Sequence, residues 1–193
     1  ADDIRYVNYV SGEWWLPNRP QQLLARREGD CDDKALLLIT LLKSVGIEAE
    51  EVLVQTRMTG QPSVVLAKGA AIPMFDHGIA FIPKSPGAPN GIWLDATSPQ
   101  SRLGPIPSMD ARGVALRMEG PAEITKLPSG SPDDHGSDIL WSVDLEANGA
   151  AKLVAEEKHT GDAAFWLRTY LTEAGSRQQY VEQNMLGRWF QSV

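Results

Sequence analysis

The stretch that decides the fold is GDCDDKALLLITLLKSVG, residues 29–46. Asp30 is a favourable N-cap for a helix, and Asp33 lies three residues later, at the position of a capping box. The apolar residues that follow cover nearly the whole circumference of the helix, so we expect it to be buried on most sides. Gly46 supplies a C-terminal stop. The sequence therefore predicts a helix whose first turn holds Cys31.

Length, charge and cysteine content limit what the chain can be. Its 193 residues are enough for one sizeable domain, or for one domain and part of another. The formal net charge of -7 argues against nucleic acid or an anionic membrane as the main partner, because both are bound through clustered Lys and Arg. Cys31 is the single cysteine, which excludes an intramolecular disulfide and a cysteine-based zinc cluster. No apolar stretch approaches the roughly 18 residues of a membrane helix, so we expect no transmembrane segment, and no residue pattern calls for a cofactor.

Two interpretations of Cys31 follow from its position. The positive end of the helix dipole and the unpaired N–H groups of the first turn favour a thiolate and can bind a developing oxyanion. The carboxylates of Asp30, Asp32 and Asp33 oppose thiolate formation by their negative charge. A free cysteine is also often a small buried hydrophobic residue without chemistry. A reactive thiol and an inert one are both open at this point.

The hydrophobic pattern predicts further elements along the chain. They are a strand or extended arm at 4–10, a short helix at 21–27, strands at 51–56, 63–67, 78–82, 92–95 and 113–118, a hairpin of 139–145 with 151–158, and two tail helices within 162–190, split at Gly175-Ser176. Together they indicate an α+β fold in which the Cys31 helix packs on an antiparallel sheet. We divide the chain into a core at 1–110, an extended Pro/Gly-rich connection at 111–136 and a partial C-terminal domain at 137–193.

A predicted hairpin brings a histidine close to an aspartate. The strands on either side of the Pro/Gly-rich loop at 83–91 are expected to pair antiparallel. If Ile82 pairs near Gly91, then His77 and Asp95 are opposite each other to within one residue. Directly opposed side chains are about 4.5–5.5 Å apart at Cβ, within reach of an imidazole–carboxylate hydrogen bond. Because such a carboxylate orients the imidazole and stabilises the imidazolium, this pair and the thiol predict a Cys–His–Asp site.

Three segments resemble those of the bacterial transglutaminase-like superfamily. GDCDDKALLL, residues 29–38, is similar to its GDCxDKAxLL segment. FDH, residues 75–77, resembles F-[N/D]-H, and WLDAT, residues 93–97, resembles W-x-DAT. The order and spacing of Cys, His and Asp also agree, and the resemblance covers roughly residues 4–99. These motifs are fairly specific for the superfamily and much less specific for the reaction.

The resemblance implies a fold and a set of roles. The fold would be a papain/transglutaminase-like core, in which the cysteine begins a central helix packed on the sheet that bears the histidine and aspartate. Cys31 would be the nucleophile, His77 the general base and acid, and Asp95 the residue that orients His77. From about residue 139 the chain resembles the start of the β-rich domain that follows this core in a large bacterial subgroup. The resemblance therefore implies part of a longer, exported protein that acts on a protein or peptide substrate.

The sequence departs from the subgroup pattern at two places near the predicted site. Asp32 stands where the subgroup often has Lys, which removes a positive charge beside the thiol. Asp76-His77-Gly78 stands in place of a commoner Asn-His-Val, which adds a carboxylate and a flexible residue beside the base. Neither departure removes a catalytic atom, but both change the surroundings of the thiol and the imidazole.

Other residues give weaker indications. Trp14 or Trp15 could line the acyl site or donate an oxyanion hydrogen bond from the indole N–H, although packing on the core is the favoured explanation. Arg57 could contact a substrate carboxylate or backbone, or simply be a surface residue. His135 and His159 lie in segments that predict surface positions.

The acidic run beside Cys31 also has a metal-site alternative. Helix capping explains two of its three residues, Asp30, Asp32 and Asp33, and the spacing lacks the Gly turn of a calcium loop, so we expect no metal there. Three aromatic residues of the tail predict core packing or an interface: Trp166, Trp189 and Phe190.

Two functional hypotheses follow from these residues and the resemblance. The first is a cysteine enzyme that acts on amide bonds through a thioester. Water as the acceptor would make it a protease or amidase, a lysine amine would make it a cross-linking acyltransferase, and the sequence does not choose between them. The second is a catalytically inactive domain of the same fold that binds a protein or the cell wall. The first is the leading hypothesis. The carboxylates around Cys31 and the long Pro-rich segment, which could cover the cleft, support the second.

Overall fold

The computed structural model describes residues 3–8, 16–58, 74–97, 103, 106–131, 133–172 and 174–190. The chain forms two compact units, Ala1–Gly130 and Ser131–Val193. Helices and antiparallel sheets are both present, which confirms the predicted α+β class. No helix in these described ranges is long and apolar enough to cross a membrane.

The first unit combines an antiparallel sheet with helices. In chain order its elements are β1 (Arg5–Tyr6), α1 (Pro20–Arg26), β2 (Glu28–Gly29), α2 (Cys31–Ser44), β3 (Glu50–Gln55), β4 (His77–Ile82), β5 (Ile92–Leu94), β6 (Val114–Arg117) and β7 (Glu123–Lys126). The last five strands form one sheet in the order β5-β4-β3-β6-β7, and every pair in it is antiparallel. β1 and β2 form a short parallel pair immediately before α2. The strand predicted at 63–67 lies outside the described residues.

The start of α2 agrees with the sequence prediction at Asp30 but not at Asp33. Asp30 is the N-cap, because its Oδ1 accepts a hydrogen bond from the Asp33 N–H at 3.1 Å. The Asp33 carboxylate does not complete a capping box; it accepts hydrogen bonds from the backbone and side chain of Asn18 instead. Asp33 therefore joins the helix to the segment that precedes α1.

Full burial in α2 ends at Ile39, and Leu42 beyond it is partly buried. Ala35, Leu37 and Ile39 are buried, whereas Leu41 is 50% and Val45 71% exposed. The prediction of a helix buried on most sides was wrong for the second half, because the sheet covers only one side of the helix there.

Each face of the sheet packs against a different part of the unit. On one face, Ala80 of β4 packs with Ile39 of α2. On the other, Ile79 belongs to a core cluster that includes Ile106, from the segment before β6. Since side chains alternate along a strand, His77 is on the same face as Ile79.

The β4–β5 register differs by one residue from the prediction. Ile82 pairs with Ile92 and not with Gly91. Gly91 has a φ of +70°, and its N–H donates to the Ala88 carbonyl, so it belongs to the turn. The ladder therefore starts one residue later than expected.

The predicted connection at 111–136 contains two strands of the sheet. The strand expected at 113–118 is β6, which pairs with β3, and β7 pairs in turn with β6. β7 was not predicted, because its four residues, EITK, are too few to show an alternating pattern. The first compact unit accordingly extends to Gly130 instead of ending near residue 110.

The second unit contains a hairpin followed by helices. Its elements are β8 (Ser137–Leu145), β9 (Ala151–His159), α3 (Gly161–Thr172), α4 (Ala174–Tyr180) and a π-helical segment, Val181–Leu186. β8 and β9 pair around the Asn148-Gly149 turn, as predicted. The tail is helical at 161–172 and 174–180, and the predicted split at Gly175-Ser176 lies inside α4 instead of between two helices.

Aromatic residues of the tail pack within the second unit. Trp189 lies edge-on to Trp141 of β8 with ring centroids 5.4 Å apart. Trp166 contacts Phe165 in the same way at 4.9 Å. Trp166 and Trp189 are nevertheless about half exposed, so this packing leaves apolar surface uncovered.

Candidate active site

Cys31 is the first residue of α2 and is half-buried. The N–H groups of the first helical turn have no partner inside the helix, so the thiol lies at a positive helix end. The β1–β2 pairing places Tyr6 opposite Gly29, two residues before Cys31. The Cys31 thiol therefore lies at a helix end that favours negative charge.

Asp32 and Gly78 form one packing arrangement beside the thiol. Cys31 Sγ donates to Asp32 Oδ1 at 3.6 Å. A Cβ added to Gly78 would lie 2.0 Å from the same Oδ1, so Asp32 occupies space that another residue at 78 would fill. Burial raises the pKa of Asp32, and the hydrogen bond from Cys31 and the positive charge of His77 offset only part of that rise. The two departures from the subgroup pattern, at positions 32 and 78, are therefore neighbours in the fold.

His77 is the first residue of β4, and its side chain is 6% exposed. Its Nε2 lies 3.4 Å from Asp95 Oδ2, and its ring is within hydrogen-bonding reach of the Cys31 thiol. Burial, the strongest influence, lowers the pKa of His77. The polar contacts of the ring with Asp95 and Cys31 and the charges of Asp95 and Asp110 outweigh burial and raise that pKa to about 11. His77 is therefore an imidazolium at neutral pH.

Asp95 follows β5 directly and is buried, with its side chain 1% exposed. Its Oδ1 accepts hydrogen bonds from the Thr97 N–H at 2.8 Å and from the Thr97 hydroxyl at 2.7 Å, which leaves Oδ2 facing His77. Extending the strand register past Leu94 puts Thr97 opposite His77 and makes Asp95 a diagonal neighbour on the same face. Burial raises the pKa of Asp95, but the close contact with His77, the charge of that ring and the two bonds from Thr97 lower it overall. An ionised carboxylate therefore faces the imidazolium.

Lys34 attaches α2 to the segment that contains Asp95. Its buried ammonium donates to the Ile4 carbonyl at 2.8 Å and to the Thr97 carbonyl at 3.4 Å. Because Thr97 in turn binds Asp95, Lys34 links the Cys31 helix to the partner of His77. Sequence reasoning missed this role, and the signal for it is a lysine at a buried position of an apolar helix.

Asp110 is a second buried carboxylate close to His77. A ring nitrogen of His77, an oxygen of Asp95 and an oxygen of Asp110 all lie within 4.8 Å of one another. Asp110 belongs to the turn PSMDARG, residues 107–113, which carries no motif. Only the folded sheet brings it to the site.

Two further titratable groups, Glu51 and Tyr6, lie near the acidic start of α2. Burial and the charges of Asp32 and Asp30 raise the pKa of Glu51 to about 7. Burial, followed by the negative charges of Cys31 and Asp30, raises the pKa of Tyr6 to about 12. Glu51 and Tyr6 therefore belong to the surroundings of Cys31, although no sequence pattern marks them.

The acidic residues of the predicted metal-site alternative each have a protein partner. Asp30 caps α2, Asp32 accepts a hydrogen bond from Cys31, and Asp33 binds Asn18. Asp76 likewise has a local role, because its carboxylate accepts hydrogen bonds from the Thr56 N–H and hydroxyl, each at 2.7 Å. These contacts account for the carboxylates without an ion.

The weaker candidates are Trp14, Trp15 and Arg57. Trp14 and Trp15 lie outside the described residues. Arg57 is exposed, and its backbone N–H donates to the Met109 carbonyl.

The two remaining histidines lie in the second unit. His159 Nδ1 is 2.7 Å from Ser137 Oγ, and its Nε2 is 2.9 Å from Glu157 Oε2. It is partly accessible, at the end of the largely exposed strand β9. His135 Nδ1 lies 3.6 Å from Asp162 Oδ1.

The structure thus brings three predicted residues together: Cys31 lies next to His77, and His77 lies next to Asp95. A thiol, an imidazolium and a carboxylate arranged in this way can form an ion pair and deliver a proton to a leaving group. A helix start can stabilise the negative charge that develops on a carbonyl oxygen. No family model, no curated protein and no solved structure matches this chain.

Proposed function

We propose that the first unit is a papain/transglutaminase-like core and that it acts on amide bonds through a thioester on Cys31. The observation that carries this proposal is the contact series Cys31–His77–Asp95, in which Asp95 Oδ2 lies 3.4 Å from His77 Nε2. The resemblance of residues 29–38, 75–77 and 93–97 to transglutaminase-like segments supports it. The substrate is a protein or peptide.

Acylation begins with attack of the Cys31 thiolate on the carbonyl carbon of the substrate. A C–S bond forms, and the carbonyl π electrons move to the oxygen, where the Cys31 N–H and the helix dipole stabilise the negative charge. When the tetrahedral intermediate collapses, the C–N bond breaks and the leaving amine takes the proton of the His77 imidazolium. Asp95 holds the ring in position for this transfer. A thioester and neutral His77 remain.

Deacylation reverses these roles. Neutral His77 takes a proton from water or from an amine as that nucleophile attacks the thioester carbonyl, and the C–S bond then breaks to regenerate the thiolate. Water gives a carboxylic acid, and a lysine amine gives an isopeptide bond. The acceptor is decided by access of water to the thioester.

Alkylation of Cys31 against pH tests the proposal. Cys31 is the only cysteine, so intact-protein mass spectrometry follows one site. A thiolate paired with His77 reacts rapidly with iodoacetamide at pH 6, where a free thiol with a pKa of about 8.5 is almost entirely protonated. His77→Ala should slow alkylation at pH 6 at least about tenfold, because the imidazolium is lost.

The matched control is His159→Ala, since His159 is also a partly buried histidine that contacts a carboxylate. It should leave the rate unchanged. Alkylation that becomes fast only near pH 8.5 in the unmodified chain would contradict the proposal. Incorporation of a fluorescent primary amine into a glutamine-containing protein, compared with release of free acid, then distinguishes acyl transfer from hydrolysis.

One observation favours a second candidate, a non-catalytic domain of the same fold that binds a protein or the cell wall. The Cys31 thiol donates to Asp32, and a thiol that keeps this bond is not a nucleophile. This candidate predicts slow alkylation at pH 6 that is the same with and without His77. The same experiment therefore separates the two.

A further inference from the structure

Asp110 lies in a tight turn that leads into β6. Its N–H donates to the Pro107 carbonyl at 3.0 Å, and its own carbonyl accepts a hydrogen bond from the Gly113 N–H at 2.8 Å. The residue is 0% exposed, so its carboxylate lies in the interior of the unit. A buried carboxylate is costly unless charged or hydrogen-bonding groups surround it, and this cost makes its location informative.

Two contacts hold this turn against the end of β3. The Arg57 N–H donates to the Met109 carbonyl at 2.9 Å. A Cβ on Gly113 would lie 2.7 Å from the Gln55 carbonyl oxygen, so the turn approaches the strand too closely for any side chain there. Ile106, just before the turn, packs in the cluster with Ile79. The turn therefore covers the face of the sheet on which His77 lies.

Asp110 reaches His77 from this face. A ring nitrogen of His77 and one oxygen each of Asp95 and Asp110 lie within 4.8 Å of one another. Among the described residues, the charged or titratable groups around His77 are Cys31 and Asp32 from α2, Asp95 after β5, and Asp110 from the turn before β6. Asp110 thus reaches the ring from a third segment of the chain.

We propose that Asp110 is a positioning residue of the Cys31 site, whose buried carboxylate acts together with Asp95 to keep His77 protonated as the partner of the thiolate. This inference rests on the proposed function, since it takes the Cys31–His77 pair as the reacting pair. Asp110 touches no substrate. It acts through His77, by adding a second negative charge in an interior where charges interact strongly.

The test is a titration of the histidine rings by NMR in the full chain, labelled with ¹⁵N-histidine, between pH 5 and 11. In the unmodified chain His77 should stay protonated above pH 8. Asp110→Asn keeps the shape and removes the charge, and it should lower the pH at which His77 loses its proton by about one unit or more. Alkylation of Cys31 at pH 6 should stay rapid and dependent on His77 in the same variant, because His77 remains protonated at that pH.

His135 and His159 are internal controls, and their titrations should be unchanged. Asp110→Glu, which keeps the charge, should keep His77 protonated over the original range. A folded Asp110→Asn variant with an unchanged His77 titration would overturn the inference. If that variant does not fold, a neutral His77 at pH 8 in the unmodified chain overturns it as well.

The outcomes also separate this inference from the proposed function. Slow alkylation of Cys31 at pH 6 in the unmodified chain would contradict both the proposed function and this inference. Rapid, His77-dependent alkylation combined with an unchanged His77 titration in Asp110→Asn removes only the role of Asp110.

Discussion

At the scale of single residues, the charge beside the thiol is the feature that most affects its reactivity. Asp32 Oδ1 lies 3.6 Å from Cys31 Sγ and accepts its hydrogen bond. The same thiol is within reach of the His77 ring, so a carboxylate and an imidazolium of opposite charge both act on it. The negative charge of Asp32 opposes the thiolate, while the positive charge of His77 favours it.

Neutralising Asp32 should make the thiol more reactive. Asp32→Asn preserves the packing over Gly78 and removes a like charge next to the thiolate, so alkylation of Cys31 by iodoacetamide at pH 7 should be about three to ten times faster. Asp138→Asn, at an exposed position in β8, makes the same change in net charge and should have no effect. A rate that stays the same or falls in Asp32→Asn would show that Asp32 does not oppose the thiolate.

At the scale of elements, the site depends on how α2 is joined to the segment after β5. Lys34 of α2 donates to the carbonyls of Ile4 and Thr97, and Thr97 binds Asp95. Hydrogen bonds made by a buried charged group contribute about 1.5–3 kcal/mol each to stability. A single side chain thus contributes both to the stability of the unit and to the position of the carboxylate.

Loss of the Lys34 hydrogen bonds should reduce both the stability of the first unit and the reactivity of Cys31. Lys34→Met should lower the free energy of unfolding by about 2–4 kcal/mol, because two buried carbonyls lose their donor. It should also slow alkylation of Cys31 at pH 6. Lys43→Met, near the other end of α2, removes an exposed ion pair with Glu119 and should cost less than about 1 kcal/mol. Urea denaturation measures both variants, and equal losses in the two would contradict the expected role of Lys34.

The parts of the structure that follow from the sequence are those with local signals. The N-cap at Asp30 and the hairpin that brings His77 near Asp95 depend on residues close together in the chain. The register was off by one because Gly91 takes a left-handed conformation within the turn, and composition alone does not show where the turn ends. Asp110 could not be predicted, because its burial depends on a turn docking against a strand more than fifty residues earlier in the chain.

At the scale of the whole molecule, the two compact units differ in how their strands are supported. The first has a five-stranded sheet with buried residues on both faces of its central strands. In the second, β8 and β9 pair only with each other among the described residues, and Leu140 and Leu145 are 65% and 74% exposed. An isolated two-stranded hairpin is marginally stable in water.

Hydrogen exchange should therefore divide the chain into a slow and a fast part. Amides of β3 and β4 should exchange slowest, and amides of β8 and β9 should exchange at least about tenfold faster under the same conditions. Mass spectrometry of peptic fragments measures both regions in one sample, so the first unit serves as the reference. Equal protection of the two sheets would mean that contacts outside the described residues support the hairpin.

The contact between Asp32 and Gly78 predicts a pattern of sequence variation. Since a Cβ at position 78 would lie 2.0 Å from the Asp32 carboxylate, the two positions are not free to change independently. Chains with this fold should pair an aspartate at position 32 with glycine at 78. A bulkier residue at 78, such as the valine of the transglutaminase-like pattern, should occur with a side chain at 32 that points elsewhere, such as lysine. The two positions should therefore covary across sequences, although forty-five residues lie between them.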